Sequence, residues 1–437
     1  AATQRDFFPF AVNYDSYNLE RIDYASGPNA VLFGNGDYSG TINAVSRVAR
    51  TDRSFYEVKS TYGSWNNQRY TLDANIALSP RIALRLDTLY HDREGWRDFD
   101  WETKRGATLA ATINATATTQ LRVQGEIGDV KRNNPFMTFT DQLSGWDGVT
   151  TFDERIPTTG LPAGNTTRGF TQVANATTPI FYYLSSVGDV LDLSRTVRSL
   201  GGNSSAAVPV GGQLVVGPSA AIANQPFNEA LNLPPGRFDR AIAGSHFRFP
   251  ARGFAVSTNN PSYAQTYRSF SGFLTQRIGS SLFASVDANY SKERRVTEYI
   301  NSRGLPDAYL DLNRNLPTGQ SNPGFLYPYS EGYRLKFPIG NETKSVRASF
   351  AYLLKETRLG DFSFNAAWQH STNNYIIDPS VFVIKRNADP RLWVTTAYND
   401  AVYYRHYWNE PDFPTPEIPR VTYNGVTYPT GWVKDIS

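Results

Sequence analysis

From Ser54 onward the chain alternates polar and apolar residues with a period of two, and no other feature restricts its fold as much. In residues 69–78 (RYTLDANIAL), Tyr70, Leu72, Ala74, Ile76 and Leu78 fall on one face while Arg69, Thr71, Asp73 and Asn75 fall on the other, as an extended strand requires. Residues 81–91 repeat the pattern, with Ile82, Leu84, Leu86 and Tyr90 against Arg81, Arg85, Asp87 and His91. Similar runs at 54–62, 106–115, 120–130, 267–277, 281–291, 345–355 and 361–370 bring the expected strands to nine. Brief turns such as Ser79-Pro80, Gly279-Ser280 and Leu359-Gly360 alternate with long connections, the longest being a Gly/Asn/Thr/Pro-rich tract over 132–265 with no sustained period.

Short connections on one side of a sheet and long ones on the other are the wiring of a transmembrane β-barrel. Soluble sandwiches do not segregate their loops so cleanly. Aromatics near strand ends (Tyr62, Tyr70, Tyr90, Tyr267, Tyr290, Tyr352 and Trp368) are expected to form interfacial girdles. Good strand propensity alone would explain any one of them, but not the Arg, Asp, Asn and Gln that recur on the opposite face of every strand. No run approaches the roughly 18 consecutive apolar residues of a membrane helix. The mean hydropathy of −0.44 still fits a barrel, whose alternating strands dilute the signal. With 26 Tyr, 26 Phe and 8 Trp and only 19% charged residues, the chain is too aromatic to be disordered.

The absence of Cys removes disulfide scaffolds, Cys-ligated metals and thiol chemistry. A formal charge of +3 over 437 residues gives no electrostatic case for nucleic acid. The opening AATQRDFF has neither an initiator Met nor a signal peptide, so a missing or processed front is expected.

Ahead of the first alternating strand lies a small α+β unit: a strand at Arg21–Tyr24, a Gly27-Pro28 turn, a helix-capable stretch from Asn29 to Phe33, a loop with Gly34, Gly36 and Gly40, and a closing strand from Thr41 to Val48. Phosphate binding by these glycines is disfavoured, because no Lys-Ser/Thr follows them and no parallel βαβ unit surrounds them. The run Arg21-Ile22-Asp23-Tyr24-Ala25-Ser26-Gly27-Pro28-Asn29-Ala30-Val31-Leu32-Phe33-Gly34, followed by Gly36, Gly40, Ile42 and Asn43, resembles the end of the plug domain of TonB-dependent outer-membrane receptors. It departs from the family pattern at Ser26, where Arg is usual, and at Ser39, where a Gly is usual. Tyr62-Gly63-Ser64-Trp65-Asn66 is similar to the family's first hairpin and Gly95-Trp96-Arg97-Asp98-Phe99 to its second external loop.

The resemblance implies an all-β membrane protein: the C-terminal part of a plug at 1–50, with Arg21, Gly27, Pro28, Gly34, Gly36, Gly40 and Asn43 as its structural signature, then the N-terminal part of an antiparallel barrel at 51–437. Such barrels have about 22 strands, so nine strands imply an incomplete barrel, as in a fragment. The implied activity is TonB-energised import of a scarce ligand, an iron-siderophore, cobalamin or an oligosaccharide, across the bacterial outer membrane. The implied partners are outer-membrane lipid, TonB through an N-terminal segment absent here, and a surface lipoprotein. No cofactor, catalytic residue or metal site is expected.

Other chemistry is weak. His91, His246, His370 and His406 have no paired spacing. Asp311-Leu312-Asn313-Arg314-Asn315 imitates the start of a calcium loop but has Leu316 where Gly is needed and Asn322 where Glu is needed, which favours a plain turn. Asp98, Asp100 and Glu102 read as a solvated acidic loop. Trp96, Arg97, Phe99 and Trp101 are the candidate ligand-binding residues, since aromatic faces beside charged groups suit sugars and flat chelates. Phe170, Phe181, Tyr182, Tyr183, Trp393, Tyr398, Tyr403, Tyr404, Tyr407 and Trp408 extend that aromatic loop character. A secreted all-β polysaccharide hydrolase is the alternative reading. It would not carry the plug-like run, and it would bury an apolar sheet face instead of a polar one.

Overall fold

A computed structural model describes residues 2–12, 15–25, 40–133, 262–301, 307–357, 360–387, 389, 400–410 and 413–434, with only short stretches between 134 and 261. Strands β1 (Ala2–Arg5), β2 (Phe8–Pro9), β3 (Leu19–Ala25) and β4 (Thr41–Ser46) form a small sheet in the order β2-β1-β4-β3, with β1 and β4 parallel. Between β2 and β3 a 3-10 turn, Ser16–Asn18, is capped by Asp15, whose side chain accepts from the Tyr17 amide at 3.1 Å. The expected strands at Arg21–Tyr24 and Thr41–Val48 are thus present as β3 and β4. The helix-capable stretch at Asn29–Phe33 lies outside the described residues, as do Gly27, Pro28, Gly34 and Gly36.

The alternating region builds β5 (Phe55–Gly63), β6 (Asn67–Ser79), β7 (Ile82–Glu94), β8 (Trp101–Asn114) and β9 (Thr119–Asn133). The intervening tract contributes the short strands β10 (Thr140–Asp141), β11 (Phe170–Gln172), β12 (Phe181–Leu184), β13 (Asp189–Asp192), β14 (Val197–Ser199), β15 (Ala207–Val210) and β16 (Gln213–Val216). None of these strands exceeds four residues; the long strands on either side run to Asn133 and start at Tyr263, which trims both ends of the 132–265 tract. There follow β17 (Tyr263–Ile278), β18 (Leu282–Asn301), β19 (Asp307–Leu310), β20 (Pro328–Thr357), β21 (Gly360–Ile377), β22 (Ser380–Ile384), β23 (Val402–Tyr407), β24 (Arg420–Tyr423) and β25 (Val426–Lys434).

Nine long strands form one antiparallel meander, β5-β6-β7-β8-β9-β17-β18-β20-β21. They are the nine expected from periodicity. β17 pairs with β9 from Tyr263↔Arg132 to Gln276↔Thr119, so the sheet runs unbroken past the long insertion. Strands β6–β7, β8–β9, β17–β18 and β20–β21 are joined by brief turns at one end, and the long insertions leave from the other. The β5–β6 hairpin is the exception: it closes within Ser64-Trp65-Asn66 at the long-loop end, with Trp65 and Asn66 both in the left-handed region at φ 55° and 52°. No helix among the described residues is long and apolar enough to cross a membrane.

The polarity of the sheet is the reverse of a soluble one. On β6 and β7 the charged or amide side chains Asp73, Asn75, Arg85 and Asp87 are buried, while Ile76, Leu78, Leu84 and Leu86 are exposed. Likewise Glu126, Asp287 and Glu293 are buried, whereas Ile127 is 63% exposed and Phe270 56% exposed. Water would not sustain such an outer face; hydrocarbon would. Tyr62, Tyr90, Tyr352 and Trp368 lie exposed on this face, as girdle residues should. Tyr267 does not: it shares the inward face with Gln265 and Ser271, a correction that follows from its place in the pleat.

Candidate functional site: the polar face of the sheet and the loops above it

The small sheet lies against the inward face and is held mainly by polar contacts. Its Arg5 pairs with Glu126 of β9, and Gln124 of the same strand donates to Asp6 at 2.9 Å. Tyr17 donates to Glu126 at 3.1 Å and Asn18 to Thr108 of β8 at 2.7 Å. Beyond β4, Arg47 reaches Asp73 at 3.1 Å and Asp87 at 2.9 Å, and Arg85 grips Asp73 through Nε and Nη2 at 2.8 and 2.7 Å. Asn75 accepts from the Arg50 amide at 2.8 Å and donates to the Arg50 and Arg53 carbonyls, pinning the chain where it passes into β5. Such groups are stable in a desolvated seam only when they are paired, as these are.

Two glycines let the aromatic rings into this seam. Gly106 and Gly128 face each other across β8 and β9. A Cβ on Gly106 would stand 2.8 Å from the Tyr17 hydroxyl, and one on Gly128 would stand 2.4 Å from the Tyr267 ring. The wall is bare here so that Tyr17 and Tyr267 can lie against it. Burial, then the neighbouring Glu126 carboxylate, push the Tyr17 hydroxyl far above its usual range, so it stays protonated and donates.

Toward the brief-turn end, a cavity of about 340 Å3 opens between the small sheet and the wall. Arg21, Arg47, Arg122 and Arg347 line it against Asp6 and Asp287. Toward the long-loop end, Glu102, Lys104, Arg132, Tyr263 and Tyr267 surround a smaller recess with Asp15. Burial opposes ionisation of Asp15, but the hydrogen bond and charge of Arg69 prevail and hold its carboxyl below the ordinary carboxylate range.

Above this recess the described loops pack around a buried ionic knot. Arg405 of β23 binds Asp311 and Glu331, both at 3.1 Å, and Tyr407 donates to Asp311 at 2.6 Å. Arg198 pairs with Glu331 from the other side, and Tyr182 donates to it at 3.2 Å. Asp311 and Asn313, the residues that imitate a calcium loop, spend their oxygens on Arg405, Tyr407 and the Val197 amide, and no group of acidic or His side chains among the described residues could hold a metal. Long-range pairing of this kind leaves no mark in local sequence. Of the other histidines, His91 contacts Asn67, His246 stacks on Tyr327 and His370 lies parallel to Trp368.

The four candidate ligand residues are in one loop but do different things. Trp96 is 47% exposed, and the Arg97 guanidinium lies over its ring at 4.2 Å. Phe99, with φ 65°, turns inward to meet Phe413 at 6.2 Å. Trp101 opens β8 opposite Glu94 and Asn133. Tyr182, Tyr403, Tyr404 and Tyr407 pack the loop interior, while Trp393 and Tyr398 lie outside the described residues. Of the plug-like signature, Arg21 and Asn43 are described on the small sheet, where Asn43 accepts from the Phe7 amide at 2.8 Å, and Gly40 immediately precedes β4 with φ 100°.

An antiparallel sheet with an apolar outer face, and a small sheet ion-paired to its polar inner face, define the class of plugged outer-membrane β-barrels. Comparison with known proteins shows what the chain is similar to. The chain is 34% identical over 87 residues to the metal-pseudopaline receptor CntO of Pseudomonas aeruginosa, a match that covers 20% of this chain and 12% of that receptor. It is 37% identical over 81 residues to the probable TonB-dependent receptor BfrD of Bordetella pertussis, covering 18% of this chain and 11% of the relative. Among solved structures, the ferripyoverdine receptor of P. aeruginosa superposes with a TM-score of 0.50 at 13% identity, over 89% of this chain and 38% of that one. BauA, the ferric preacinetobactin receptor of Acinetobacter baumannii, gives 0.50 at 12% identity, over 98% of this chain and 44% of its own. No family model matches the chain. The chain therefore spans less than half the length of these receptors. It shares the outer-membrane β-barrel fold of these solved structures and is similar in sequence, over a short segment, to relatives named as TonB-dependent receptors.

Proposed function

We propose that this chain is part of a TonB-dependent outer-membrane importer of a metal-siderophore. Residues 1–50 are the C-terminal part of its plug and 51–437 the N-terminal part of its barrel, with 132–265 the longest external loop. The observation that carries this reading is the ion-paired seam between the small sheet and a wall whose outer face is apolar. A plug held by polar pairs can be rearranged by a pull from the periplasm, whereas one held by an apolar core would be locked. The siderophore class is supported by the names of the relatives, and cobalamin and oligosaccharides receive no such support.

Trp96 and Arg97 are the part of the proposed ligand surface that meets a descending chelate, with Phe99 and Trp101 setting the loop that carries them. The polar recess beneath balances Lys104, Arg105 and Arg132 against Asp15, Glu102 and Asp129, so discrimination by charge falls to Arg97 in the loop above. The test is uptake of radiolabelled iron by a strain deleted for the complete gene and supplied with different iron-siderophores. Uptake of one of them should return with the gene and vanish when TonB is deleted. Return of cobalamin or oligosaccharide uptake instead, or uptake indifferent to TonB, would overturn the reading.

A further inference from the structure

The charges that line the cavity at the brief-turn end do not all find partners. Arg347 holds Asp287 at 2.7 Å, Arg47 is taken up by Asp73 and Asp87, and Arg21 pairs with Asp23 at 3.1 Å. Two opposite charges remain. Among the described residues Arg122 of β9 has no ion-pair partner, and its Nε is buried without a hydrogen bond. Asp6 has no cation among the described residues either. It accepts from the Ser46 amide and hydroxyl at 2.9 and 2.7 Å and from Gln124 at 2.9 Å, while Arg5 beside it is spent on Glu126.

The wall next to Arg122 is prepared in the same way. Thr112 stands directly opposite it across the β8–β9 ladder and lines the same cavity. It is 5% exposed, and its hydroxyl has no partner. A guanidinium and a hydroxyl on neighbouring strands form a donor set for a carboxylate. The Phe273 ring, 5.0 Å from the Arg122 guanidinium, steadies the cation. On the other side, Asp6 is delivered by a strained turn. Asp6 and Phe7 join β1 to β2 with φ 50° and 65°, a backbone that Asn-Gly adopts easily and Phe does not. Such strain persists where the surroundings hold side chains in place, and both of these line the cavity.

We propose that this cavity binds a zwitterion, an α-amino acid with an apolar side chain, with its carboxylate on Arg122 and Thr112, its ammonium on Asp6, and its carbon chain against Phe7, Phe273 and Val45. Asp6 bonds the tip of Gln124, two residues along β9 from Arg122, which displaces the two unmatched charges by roughly 7 Å along the strand. An ammonium and a carboxylate on one carbon, each making a hydrogen bond of about 2.9 Å, cover that separation. The volume of about 340 Å3 has room for on the order of ten waters, enough for a ligand of this size. A simple anion would leave Asp6 unmatched, and a simple cation would leave Arg122 unmatched. Because Asp6 belongs to the small sheet and Arg122 and Thr112 to the wall, the ligand ties one to the other. The inference needs the small sheet docked on the wall and is independent of what the whole protein transports.

The test uses the product of the complete gene in mild detergent and isothermal titration calorimetry with three probes of one shape. These are L-leucine, L-leucinamide, which lacks the carboxylate, and 4-methylpentanoate, which lacks the ammonium. Leucine should bind, and each single-ended probe should bind about tenfold or more weakly, as expected when a buried charge is left unpaired. Arg122→Gln should erase the preference for leucine over leucinamide and keep that over 4-methylpentanoate; Asp6→Asn should do the reverse. Bound leucine should also slow hydrogen exchange across β1 and β4. No leucine binding at millimolar concentration would mean that water alone bridges the two charges, and would overturn the proposal. Equal binding of the three probes, or displacement of leucine by equimolar inorganic phosphate, would overturn it as well. The comparison of probes on wild-type protein decides the matter even where a variant does not fold.

Discussion

Arg47 lies between Asp73 and Asp87, at 3.1 and 2.9 Å, so one guanidinium from the end of the small sheet neutralises carboxylates on two neighbouring strands of the wall. Asp87 is 1% exposed, and its other near cation is Arg85 at 3.9 Å. Arg47→Ala should leave that carboxylate under-compensated and weaken docking of the small sheet by about 3–5 kcal/mol. Hydrogen exchange across β4 reads the effect: protection should fall at 41–46 while β8 and β9 keep theirs.

The facing glycines give a second prediction. Gly128→Ala would place a methyl group 2.4 Å from the hydroxyl end of the Tyr267 ring, which must move, at a cost of about 1–3 kcal/mol. Pairing it with Tyr267→Ala should recover a substantial part of that loss, so the double-mutant cycle should show coupling of about 0.5 kcal/mol or more. Thermal unfolding in detergent supplies the four values. Additive effects would mean that the wall is bare for another reason.

In the loop region, Arg405→Ala removes the cation shared by Asp311 and Glu331, both nearly inaccessible. A loss of about 3–5 kcal/mol is expected. Since Arg198 still holds Glu331, the Asp311 side should loosen first. Limited proteolysis from the outside checks this, with new cleavage expected around 307–328 in the variant.

His406 is fully buried beside Phe413, 5.1 Å away and edge-on, and neither ring nitrogen has a partner. Burial lowers its pKa from 6.5 to about 3. A depressed folded-state value means stability that is intact above the unfolded pKa and is lost as pH falls toward the folded one. Between pH 7 and 5 the loop region should lose about 2 kcal/mol through this residue. His406→Phe should flatten that part of the pH dependence, as followed by tryptophan fluorescence; an unchanged slope would assign it to other groups.

Trp96→Ala should weaken uptake of the cognate iron-siderophore by about tenfold, the effect of losing one aromatic contact, with surface levels unchanged. Phe99→Ala should instead lower the amount of folded receptor, because Phe99 packs on Phe413.

The nine wall strands were legible because period two is a local property: Tyr70 to Leu78 and Ile82 to Tyr90 announce both strand and face without help from the rest of the chain. The first half of β20, Pro328 to Gly340, was not legible. Its partners are the far end of β18 and, at 329–333, β23, where protein replaces lipid on both faces and the alternation has no cause. Tyr267 was assigned to the girdle because an aromatic near a strand end looks alike on either face, and only the register with Gly128 reveals which side it takes. The knot of Asp311, Glu331 and Arg405 was hidden for a different reason: its members are up to 94 residues apart, and each looks like an ordinary loop charge. In the candidate ligand loop the sequence marks Trp96, Arg97, Phe99 and Trp101 alike and could not tell that Phe99 turns away.

The reversed polarity of the wall also bears on how such a chain travels. Spread out, its apolar residues are separated one by one by Arg, Asp and Asn, so no segment has the greasy length that would halt it in the first membrane it crosses. Only when the strands pair do Leu84, Leu86, Leu109 and Ile127 line up into a surface with an affinity for lipid. The chain's hydrophobicity is latent, spelled in alternate letters and released by folding, which lets it pass through one bilayer and remain in the next.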